Sequence, residues 1–431
     1  MVNEKFDAIV VGAGPSGTAA AITMARAGLK VLLLEKGEFP GAKNVMGGIL
    51  YRHATEEIIP GFWKEAPLER PIVDKRMWVL TGDSAITAGF KTKRYFDEPN
   101  SFSVLRAKFD RWFAQKAVEA GATLITETVV EDFLYEDDKI VGVKVGREEG
   151  EVFADVVVLA EGANALLSRK AGLRGDIPPQ HVAVAVKELI FLPKEKIEDR
   201  FNLEEGQGAA IEMVGESTRG IFGTAFVYTN KESISIGLGV ILSHLIERKM
   251  APYDLLDAFK QHPMVKPLIA GGETKEYLAH LIPEGGYKAM PKLYRDGLLL
   301  VGDAAMFVNS LRGEGSNLAT ISGKLAGETV IEAKKRGDFS AATLSLYRRK
   351  LEESFVLKDL KQYRNVTEFF EENPHFFNLY PELAADAAYE FFKVDGVPKR
   401  DKQRKIMDMV KGKRSLLAIG GDLFRAWRVL R

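Results

Sequence analysis

The stretch FDAIVVGAGPSG, residues Phe6–Gly17, decides the fold of this 431-residue chain. A short apolar run rich in β-branched residues, typical of a buried strand, leads directly into a Gly-x-Gly-x-x-Gly pattern. Small residues at helical spacing follow over Thr18–Ala27, and Gly28 stands where a glycine commonly ends a helix. Val31–Leu34 is the next buried strand, and the acidic residue Glu35 ends it. This order of strand, turn, helix, strand and acid predicts a Rossmann-like unit that binds a dinucleotide.

Each part of this unit has a physical role in holding a pyrophosphate. Gly12 permits the tight turn, Gly14 lets the phosphates approach the backbone, and Gly17 lets the helix pack closely on the strand. The helix N-terminus supplies N–H groups and the positive end of its dipole. Glu35, 23 residues after Gly12, can accept hydrogen bonds from both ribose hydroxyls. The predicted cofactor-binding residues of this unit are Gly12, Ala13, Gly14, Pro15, Ser16, Gly17, Glu35 and Lys36.

Two later apolar strands also end in acidic and glycine residues. Val156–Ala160 leads into Glu161-Gly162. Leu298–Val301 leads into Gly302-Asp303, where a carboxylate can face a ribityl or ribose hydroxyl. The glycine-rich segment Gly313–Asn317 then opens a long helix, and its N–H groups can point at the pyrimidine edge of a flavin.

These three segments resemble the FAD-binding signatures of the glutathione-reductase-2-type flavoproteins, whose fold is shared with aromatic hydroxylases. The middle motif of that group is usually Asp-Gly, and Glu161-Gly162 departs from it. Arg106, which opens an amphipathic helix, matches the position where an arginine of that fold meets the flavin; the alternative is an ordinary surface arginine. The further cofactor-binding residues that resemblance implies are Lys43, Asn44, Gly47, Gly48, Arg106, Val130, Ala160, Glu161, Gly162, Gly302, Asp303, Gly315, Ser316 and Asn317.

The composition also favours chemistry that is carried out by a bound cofactor. Sixty Lys and Arg balance sixty Asp and Glu, so the chain lacks the basic excess typical of nucleic-acid binding. It contains no Cys, which excludes disulfides, thiolate zinc sites, a Cys nucleophile and Cys-ligated iron–sulfur clusters. Its six His are scattered without a close pair, so no metal centre is expected. We therefore expect the chemistry to belong to a cofactor, with no catalytic acid–base triad.

A second dinucleotide site is not predicted. Gly206-Gln207-Gly208 and Gly237-Leu238-Gly239 each lack the third glycine, because Ile211 and Leu242 stand in its place. Neither segment opens a helix, so no NAD(P)H site is expected in this chain. Flavin disulfide reductases need such a site and redox cysteines, and they are excluded.

Three further segments are similar to the electron-transfer flavoprotein:quinone oxidoreductase (ETF-QO) family, in particular its short FixC-like branch. They are GAKNVMGGILY at residues 41–51, IPEGGYKAMPKL at 282–293 and VDGVPKR at 394–400. The long members of that family carry a Cys-ligated iron–sulfur domain, which this Cys-free chain cannot hold. The resemblance therefore implies a complex with a two-subunit electron-transfer flavoprotein and a separate ferredoxin-like iron–sulfur subunit. It implies electron transfer through FAD to a membrane quinone, in an assembly of a kind that can oxidise NADH and bifurcate electrons.

The predicted fold is α/β. A discontinuous Rossmann-like FAD domain takes residues 1–75, 102–172 and 291–338. A mixed or antiparallel sheet domain, expected to receive the substrate or quinone, takes residues 76–101 and 173–290. Residues 339–431 form a helical C-terminal region, whose many aromatic side chains are expected to be mostly core.

The C-terminal tail is strongly basic. Residues 399–431 contain eleven Lys or Arg and three Asp, a net charge of +8, which leaves −8 over residues 1–398 of this neutral chain. Apolar residues recur there at helical spacing, and they are Leu416, Ile419, Leu423, Trp427 and Leu430. A basic amphipathic helix with Trp can lie on an anionic membrane surface; docking to a partner and packing on its own chain are the alternatives. With neither a signal peptide nor a spanning segment predicted, we expect a cytoplasmic protein, peripheral on the inner face of the cell membrane.

Several residues have two interpretations. Lys43 and the helix start at Gly315–Asn317 can stabilise negative charge on a reduced flavin, although Lys43 can equally be a solvated loop residue. Met306, Phe307 and Arg312 can border the isoalloxazine or the quinone, and the first two fit core packing equally well. Competing functions are a geranylgeranyl-reductase-type enzyme acting on isoprenoid lipids, an aromatic monooxygenase, and a flavoprotein that only relays electrons inside a complex.

Overall fold

The computed structural model describes residues 5–42, 48–147 and 150–431. These residues form two compact units, each assembled from three stretches of the chain. Unit 1 comprises the described parts of Met1–Ile72, Arg94–Ala183 and Ala279–Lys361. Unit 2 comprises Val73–Lys93, Val184–Leu278 and Gln362–Arg431.

The strands lie mostly in the first three quarters of the chain. In chain order they are β1 (Phe6–Val11), β2 (Val31–Leu34), β3 (Ile49–Tyr51), β4 (Ile72–Leu80), β5 (Ala85–Lys91), β6 (Ser101–Ser103), β7 (Thr123–Ile125), β8 (Val130–Glu136), β9 (Lys139–Val145), β10 (Glu151–Leu159), β11 (Val182–Phe191), β12 (Gly208–Gly215), β13 (Gly223–Thr229), β14 (Ser233–Ile241), β15 (Glu273–Pro283), β16 (Tyr294–Arg295) and β17 (Leu298–Leu300).

Helices connect the strands and make up the C-terminal region. They are α1 (Pro15–Arg26), α2 (Arg52–Glu56), α3 (Arg94–Asp97), α4 (Arg106–Glu119), α5 (Leu166–Lys170), α6 (Lys194–Phe201), α7 (Leu242–Arg248), α8 (Pro252–Gln261), α9 (Lys266–Ile269), α10 (Ser316–Arg336), α11 (Ala341–Leu344), α12 (Leu346–Glu353), α13 (Phe355–Gln362), α14 (Val366–Glu372), α15 (Leu379–Phe392), α16 (Lys399–Lys413) and α17 (Leu416–Leu430). None of the described helices is both long and apolar enough to cross a bilayer.

The main sheet of unit 1 has the order β16-β17-β10-β1-β2-β7, with β9 pairing with β10 and β8 with β9. The pairs that link β17, β10, β1, β2 and β7 are all parallel. The buried parts of parallel strands are apolar on both faces, and this explains the continuous apolar runs 8–11 of β1 and 156–159 of β10. Because these strands run parallel, their carboxyl ends meet at one edge of the sheet, and this edge positions the candidate site.

Helices α1 and α10 pack against each other in unit 1 through small residues. A Cβ added to Gly323 of α10 would lie 1.9 Å from the backbone oxygen of Ser16. This close approach brings the N-terminal half of α10 against the start of α1. It explains the small-residue face that the sequence carries after Asn317.

The large sheet of unit 2 has the order β15-β11-β14-β13-β12-β4-β5. Its registered pairs β12–β13, β13–β14 and β4–β5 are antiparallel. The unit has its own hydrophobic core, in which Phe201 and Phe259 pack with apolar residues of β12 to β14. The predicted α/β fold is therefore confirmed, with a Rossmann-like unit, a second sheet and a helical C-terminal region.

Two aromatic residues depart from the expectation that the C-terminal aromatics are mostly core. Phe369 and Phe377 are buried, but Phe391 and Phe392 at the end of α15 are exposed. The residues that follow them, 393–398, are exposed as well, so the end of α15 lies at the surface. Met306 and Phe307 are buried in unit 1, as the core interpretation expects.

Candidate active site

The turn between β1 and α1 forms the first wall of the site. Gly12 adopts a φ of +104°, and a Cβ there would lie 2.3 Å from the backbone oxygen of Ala160. Gly14 is the N-cap of α1 and Pro15 is its first residue. Because the cap residue has no side chain to bond the first-turn N–H groups, they are left for a ligand. This geometry suits an anion held at the N-terminus of α1.

The Glu35 carboxylate stabilises this turn through two backbone hydrogen bonds. Its Oε2 accepts from the backbone N–H of Ala13 at 3.0 Å, and its Oε1 accepts from that of Gly37 at 2.7 Å. Each carboxylate oxygen keeps further lone-pair capacity, so the side chain can also accept from a ribose hydroxyl. Lys36 is exposed, and Val130 is buried at the start of β8.

Glu161, at the end of β10, has a contact that its sequence did not reveal. Its carboxylate accepts from the backbone N–H groups of Leu167 and Ser168, both at 2.7 Å, and so caps the five-residue helix α5. Burial raises the pKa of Glu161 against the opposing effect of these hydrogen bonds. Its observed contacts are with its own chain, while the neighbouring Ala160 is the residue that faces the Gly12 turn.

The end of β17 supplies the third wall. Gly302 has a φ of +64°, and a Cβ there would lie 2.6 Å from Ser16 Oγ, so this backbone also lies against the start of α1. Asp303 follows in a short 3-10 helix, Gly302–Ala305. Burial raises the pKa of Asp303 to about 6, and the nearby Arg106 acts in the opposite direction.

Arg106 is buried at the start of α4, so the surface-arginine alternative does not hold. Its guanidinium donates to both carboxylate oxygens of Asp110 at 2.8 Å. Gly48 is also buried, and its backbone oxygen accepts from the N–H of Val104, two residues before Arg106, at 2.9 Å. Asp110 therefore orients Arg106 within the unit that holds the three strand ends.

The loop from β17 to α10 and the first turn of α10 each hold a buried polar atom that lacks a hydrogen-bond partner among the described residues. They are the side-chain Nδ2 of Asn309, which is 2% exposed, and Oδ1 of Asn317 at the start of α10. Nearby, Arg174 donates through one terminal nitrogen to the backbone oxygen of Ala304 at 3.0 Å, yet its Nε is also unpartnered. Buried polar atoms are rarely left unsatisfied, so a polar ligand is expected here.

The described structure therefore fits a dinucleotide with a polar ring system. At Gly12 and Gly302 a Cβ would clash with neighbouring atoms, so both positions leave the backbone open for close approach of a ligand. The unsatisfied side-chain amides of Asn309 and Asn317 can donate to and accept from that ligand. Most predicted residues are brought to the one sheet edge and the start of α10. Lys36 is exposed and Val130 lies on the adjoining β8, while the predicted residues Lys43, Asn44 and Gly47 lie outside the described residues.

Several residues of this region carried no role in the sequence analysis. Glu284 and His280 belong to the end of β15 and the segment after it, and Ser310 and Asn309 to the loop before α10. Only Glu284 stood in a segment that the sequence singled out. The others have no local pattern, because they converge only when β15 and the loop after β17 are folded.

Neither a metal cluster nor a second dinucleotide turn is found among the described residues. The described residues contain no group of three His, Asp or Glu that could hold a metal ion. Gly206–Gly208 leads from a turn into β12, and Gly237 and Gly239 lie inside β14. Neither glycine pair stands before a helix that could hold a pyrophosphate.

Comparison with known proteins places this site in a family. The FAD dependent oxidoreductase family matches residues 7–176, and the ETF-QO/FixC family C-terminal domain matches residues 366–431. Protein FixC of Azorhizobium caulinodans is 49% identical over 435 aligned residues, which cover 99% of this chain and 100% of the relative. The chain belongs to the ETF-QO/FixC family.

A second relative extends the comparison within the ETF-QO/FixC family. The probable electron transfer flavoprotein-quinone oxidoreductase YdiS of Escherichia coli is 43% identical over 415 residues, covering 95% of this chain and 96% of the relative. The segments that suggested this family in the sequence were therefore correctly interpreted. The chain is an FAD-dependent oxidoreductase, and FAD is its cofactor.

Solved structures agree on the fold. A geranylgeranyl bacteriochlorophyll reductase-like protein of Thermoplasma acidophilum has a TM-score of 0.73 at 20% identity, covering 97% of this chain and 98% of that one. The myxobacterial halogenase CndH, an FAD-dependent enzyme, has a TM-score of 0.63 at 21% identity, covering 96% and 92%. At such identities the likeness concerns the fold alone, which this FixC-family chain shares with enzymes of different chemistry.

Proposed function

We propose that this chain is the FAD-containing subunit of an electron-transfer flavoprotein:quinone oxidoreductase complex, which passes electrons from an electron-transfer flavoprotein to a membrane quinone. The observation that carries this proposal is the 43% identity, over 95% of this chain, to a relative named as a probable electron transfer flavoprotein-quinone oxidoreductase. The match of the C-terminal domain supports it, because it lies outside the FAD-binding half.

FAD supplies the redox chemistry, since a flavin can take up and release electrons singly or in pairs. The chain's own residues would hold it. The N-terminus of α1 would bind the pyrophosphate, Glu35 would accept from the ribose, and Asp303 would accept from a hydroxyl of the ribityl chain. Asn317 and the N-terminus of α10 would face the ring and stabilise negative charge on it.

The remaining steps of electron transfer are assigned to partners. The sequence contains no Cys, so a ferredoxin-like subunit would supply an iron–sulfur cluster. Oxidation of NADH and electron bifurcation would belong to other subunits, because neither extra glycine pair of this chain precedes a helix.

The quinone would be received by the sheet domain predicted over residues 76–101 and 173–290. Access to a lipid-soluble quinone requires contact with the membrane. Helix α17 is the candidate surface, because Leu417 is 90% and Trp427 53% exposed beside the basic residues Arg425 and Arg428. This surface would place the protein on the inner face of the cell membrane.

The acceptor is tested with the purified chain loaded with FAD and reduced by dithionite under anaerobic conditions. After removal of excess reductant, the protein is mixed with a short-chain quinone, an isoprenoid lipid, or oxygen and an aromatic compound. We expect the quinone to reoxidise the flavin rapidly with one quinol formed per flavin.

Each other outcome would reject the proposal in a different way. Saturation of an isoprenoid double bond would indicate a geranylgeranyl-reductase-type enzyme, and hydroxylation of the aromatic compound a monooxygenase. A flavin that is not reoxidised by quinone would indicate a protein that only relays electrons to another subunit.

A further inference from the structure

A buried ion pair lies at the start of α4 in unit 1. Arg106 is 6% and Asp110 is 1% exposed. The guanidinium donates through Nε to Asp110 Oδ1 and through Nη2 to Asp110 Oδ2, both at 2.8 Å. One planar fork therefore bonds both carboxylate oxygens, and this geometry fixes the two side chains relative to each other.

The stability of α4 does not account for this pair. Arg106 is the first residue of the helix, where the helix dipole disfavours a positive charge. The order of the two charges, with Asp110 four residues after Arg106, is also the less stabilising order in a helix. Removing both charges from water costs free energy, and a buried ion pair is often no more stable than well-packed apolar residues. We therefore expect the pair to serve the site rather than the helix.

The first turns of α4 lie against the loop that follows Glu35. A Cβ added to Gly41 of this loop would lie 2.8 Å from the backbone oxygen of Arg106 and 2.9 Å from the Cβ of Asp110. At the other end of the loop, the N–H of Gly37 donates to Glu35 Oε1 at 2.7 Å. One short loop thus connects the carboxylate that is predicted to bind the FAD ribose with the buried ion pair.

The charge of Arg106 also acts on groups at two strand ends of the same unit. It opposes the burial that raises the pKa of Asp303 in the third wall of the site. Burial lowers the pKa of His280 on β15, and the positive charges of Arg106 and Lys36 act in the same direction. Buried charges are screened less than surface charges, so they act over longer distances. The electrostatic effect of Arg106 therefore extends around the candidate FAD site.

We propose that Asp110 tunes the bound FAD: its carboxylate offsets the positive charge of Arg106 and keeps the reduction potential of the flavin lower than Arg106 alone would set it. Reduction of a flavin by two electrons with uptake of one proton leaves it with one more negative charge, which a lone buried cation would stabilise. Because the pair presents two opposite charges, this stabilisation is reduced. The pair itself takes up no electron and no proton, and its effect is independent of the electron donor and acceptor.

The test measures the midpoint potential of the FAD-loaded chain at constant pH, by anaerobic titration against a reference dye. Asp110→Asn keeps the size of the side chain and removes its charge, so at a given potential we expect a ratio of reduced to oxidised flavin about tenfold higher than in the wild type. For a two-electron couple this change is a shift of about 30 mV to more positive potential. The shift should persist at high salt, because buried charges are screened little.

A shift in the other direction is expected when Arg106 loses its charge. Arg106→Gln leaves Asp110 as a buried negative charge, so the ratio of reduced to oxidised flavin should fall about tenfold. Asp110→Glu keeps the negative charge and should stay within about threefold of the wild-type ratio. Glu119→Gln, which alters an exposed carboxylate at the end of α4, is the control and should match the wild type.

Equal potentials in Asp110→Asn and the wild type would overturn the proposal. Shifts of Asp110→Asn and Arg106→Gln in the same direction would also overturn it, because they would report disturbed packing rather than charge. These outcomes are distinct from failure of quinone reduction, since no quinone is present.

A double variant decides if a single variant does not retain FAD. Arg106→Gln combined with Asp110→Asn leaves no unpaired charge in the interior. With excess FAD it should bind the cofactor and show a ratio of reduced to oxidised flavin within about threefold of the wild type. A shift of about tenfold, or failure to bind FAD, would overturn the proposal.

Discussion

Gly12 occupies a backbone position in the FAD cradle that suits no other residue. Its φ of +104° disfavours every residue with a Cβ, and the added atom would lie 2.3 Å from the Ala160 oxygen. The constraint is therefore both conformational and steric. It fixes the distance between the carboxyl ends of β1 and β10, where the pyrophosphate is expected.

Replacing Gly12 by Ala should weaken FAD binding at least tenfold, about 1.4 kcal/mol, because β1 and β10 must separate to admit the methyl group. The measurement is a titration of the FAD-free protein with FAD, followed by the change in flavin fluorescence. Gly28→Ala is the matched control, since Gly28 also has a positive φ of +82° but has open space around it. Gly28→Ala should lose about 1 kcal/mol of folding stability from its backbone conformation alone, and Gly12→Ala should lose more, because the contact with Ala160 adds to that cost. Equal FAD affinity in Gly12→Ala and wild type would contradict the cradle.

At the residue scale, the sequence predicted those positions whose chemistry is set by neighbours along the chain. The glycines of Gly12–Gly17 follow from a fixed spacing after an apolar strand. The contacts of Glu161 could not be read this way, because they depend on the short helix α5 folding back onto the end of β10. Asn309 gave no signal, since its importance comes from the burial of its unsatisfied side-chain amide.

Helix α17 is attached to the rest of unit 2 through a buried carboxylate. Asp422, 1% exposed, accepts a hydrogen bond from Tyr380 and forms ion pairs with Arg414 and Arg425. Burial alone would raise the pKa of Asp422, but these three partners outweigh it and hold the pKa at about 2. Because this pKa lies below that of an Asp in an unfolded chain, the stabilisation is present above about pH 4 and is lost as the pH falls toward 2.

Replacing Asp422 by Asn should release α17, because Tyr380 and the half-buried Arg414 lose their charged partner. A loss of about 2 kcal/mol in local stability is expected. Hydrogen exchange of the α17 amides, measured between pH 4 and 7, should be much faster than in the wild type. Asp408→Asn, at an exposed position of α16, is the control; unchanged exchange in Asp422→Asn would show that other contacts hold the helix.

Helix α17 also carries exposed apolar side chains. Leu416, Ile419, Leu423, Trp427 and Leu430 were expected to form one face; Ile419 is half-buried, and the other four are exposed together with Leu417 and Phe424. The helix packs on α14 through the side that carries Asp422 and Ala426. Packing on its own chain therefore does not cover the apolar face, and membrane contact remains our proposal.

Replacing Leu417, Phe424 and Trp427 together by Ser should weaken binding to vesicles of anionic phospholipid at least tenfold, because three apolar side chains no longer enter the interface. Co-sedimentation with vesicles at low and high salt gives the measurement, and the salt dependence reports the basic residues. Ile246→Ser, at an exposed apolar position of α7, should bind like the wild type. Undiminished binding by the triple variant would remove α17 from the membrane surface.

At the element scale, a buried strand could be predicted from the sequence and an exposed edge strand could not. The bounds of β2 agree with the predicted strand Val31–Leu34, because this buried parallel strand is an uninterrupted apolar run. Strand β15 was not predicted, because it lies at the end of its sheet and carries exposed charged residues such as Glu273 and Lys275. An edge strand of this kind lacks the alternation that marks a half-buried strand.

In the whole molecule, the compact units do not coincide with the regions predicted along the chain. The sequence predicts a separate helical region over residues 339–431, whereas the contacts place residues up to Lys361 in unit 1 and the remainder in unit 2. Local patterns could not foresee this division, because α10 to α12 pack together through contacts that periodicity does not specify. The neutral total charge likewise combines a basic tail with an acidic remainder of the chain.

The most direct test of the central claim is a single-turnover measurement of electron flow through the FAD of this chain. The FAD-loaded chain, with its ferredoxin-like partner, is mixed anaerobically with reduced electron-transfer flavoprotein, and then with a quinone in vesicles. We predict that its flavin absorbance is bleached in the first step and recovers in the second, with one quinol formed per two electrons. A flavin that is not reduced by the electron-transfer flavoprotein, or that stays reduced in the presence of quinone, would contradict the account.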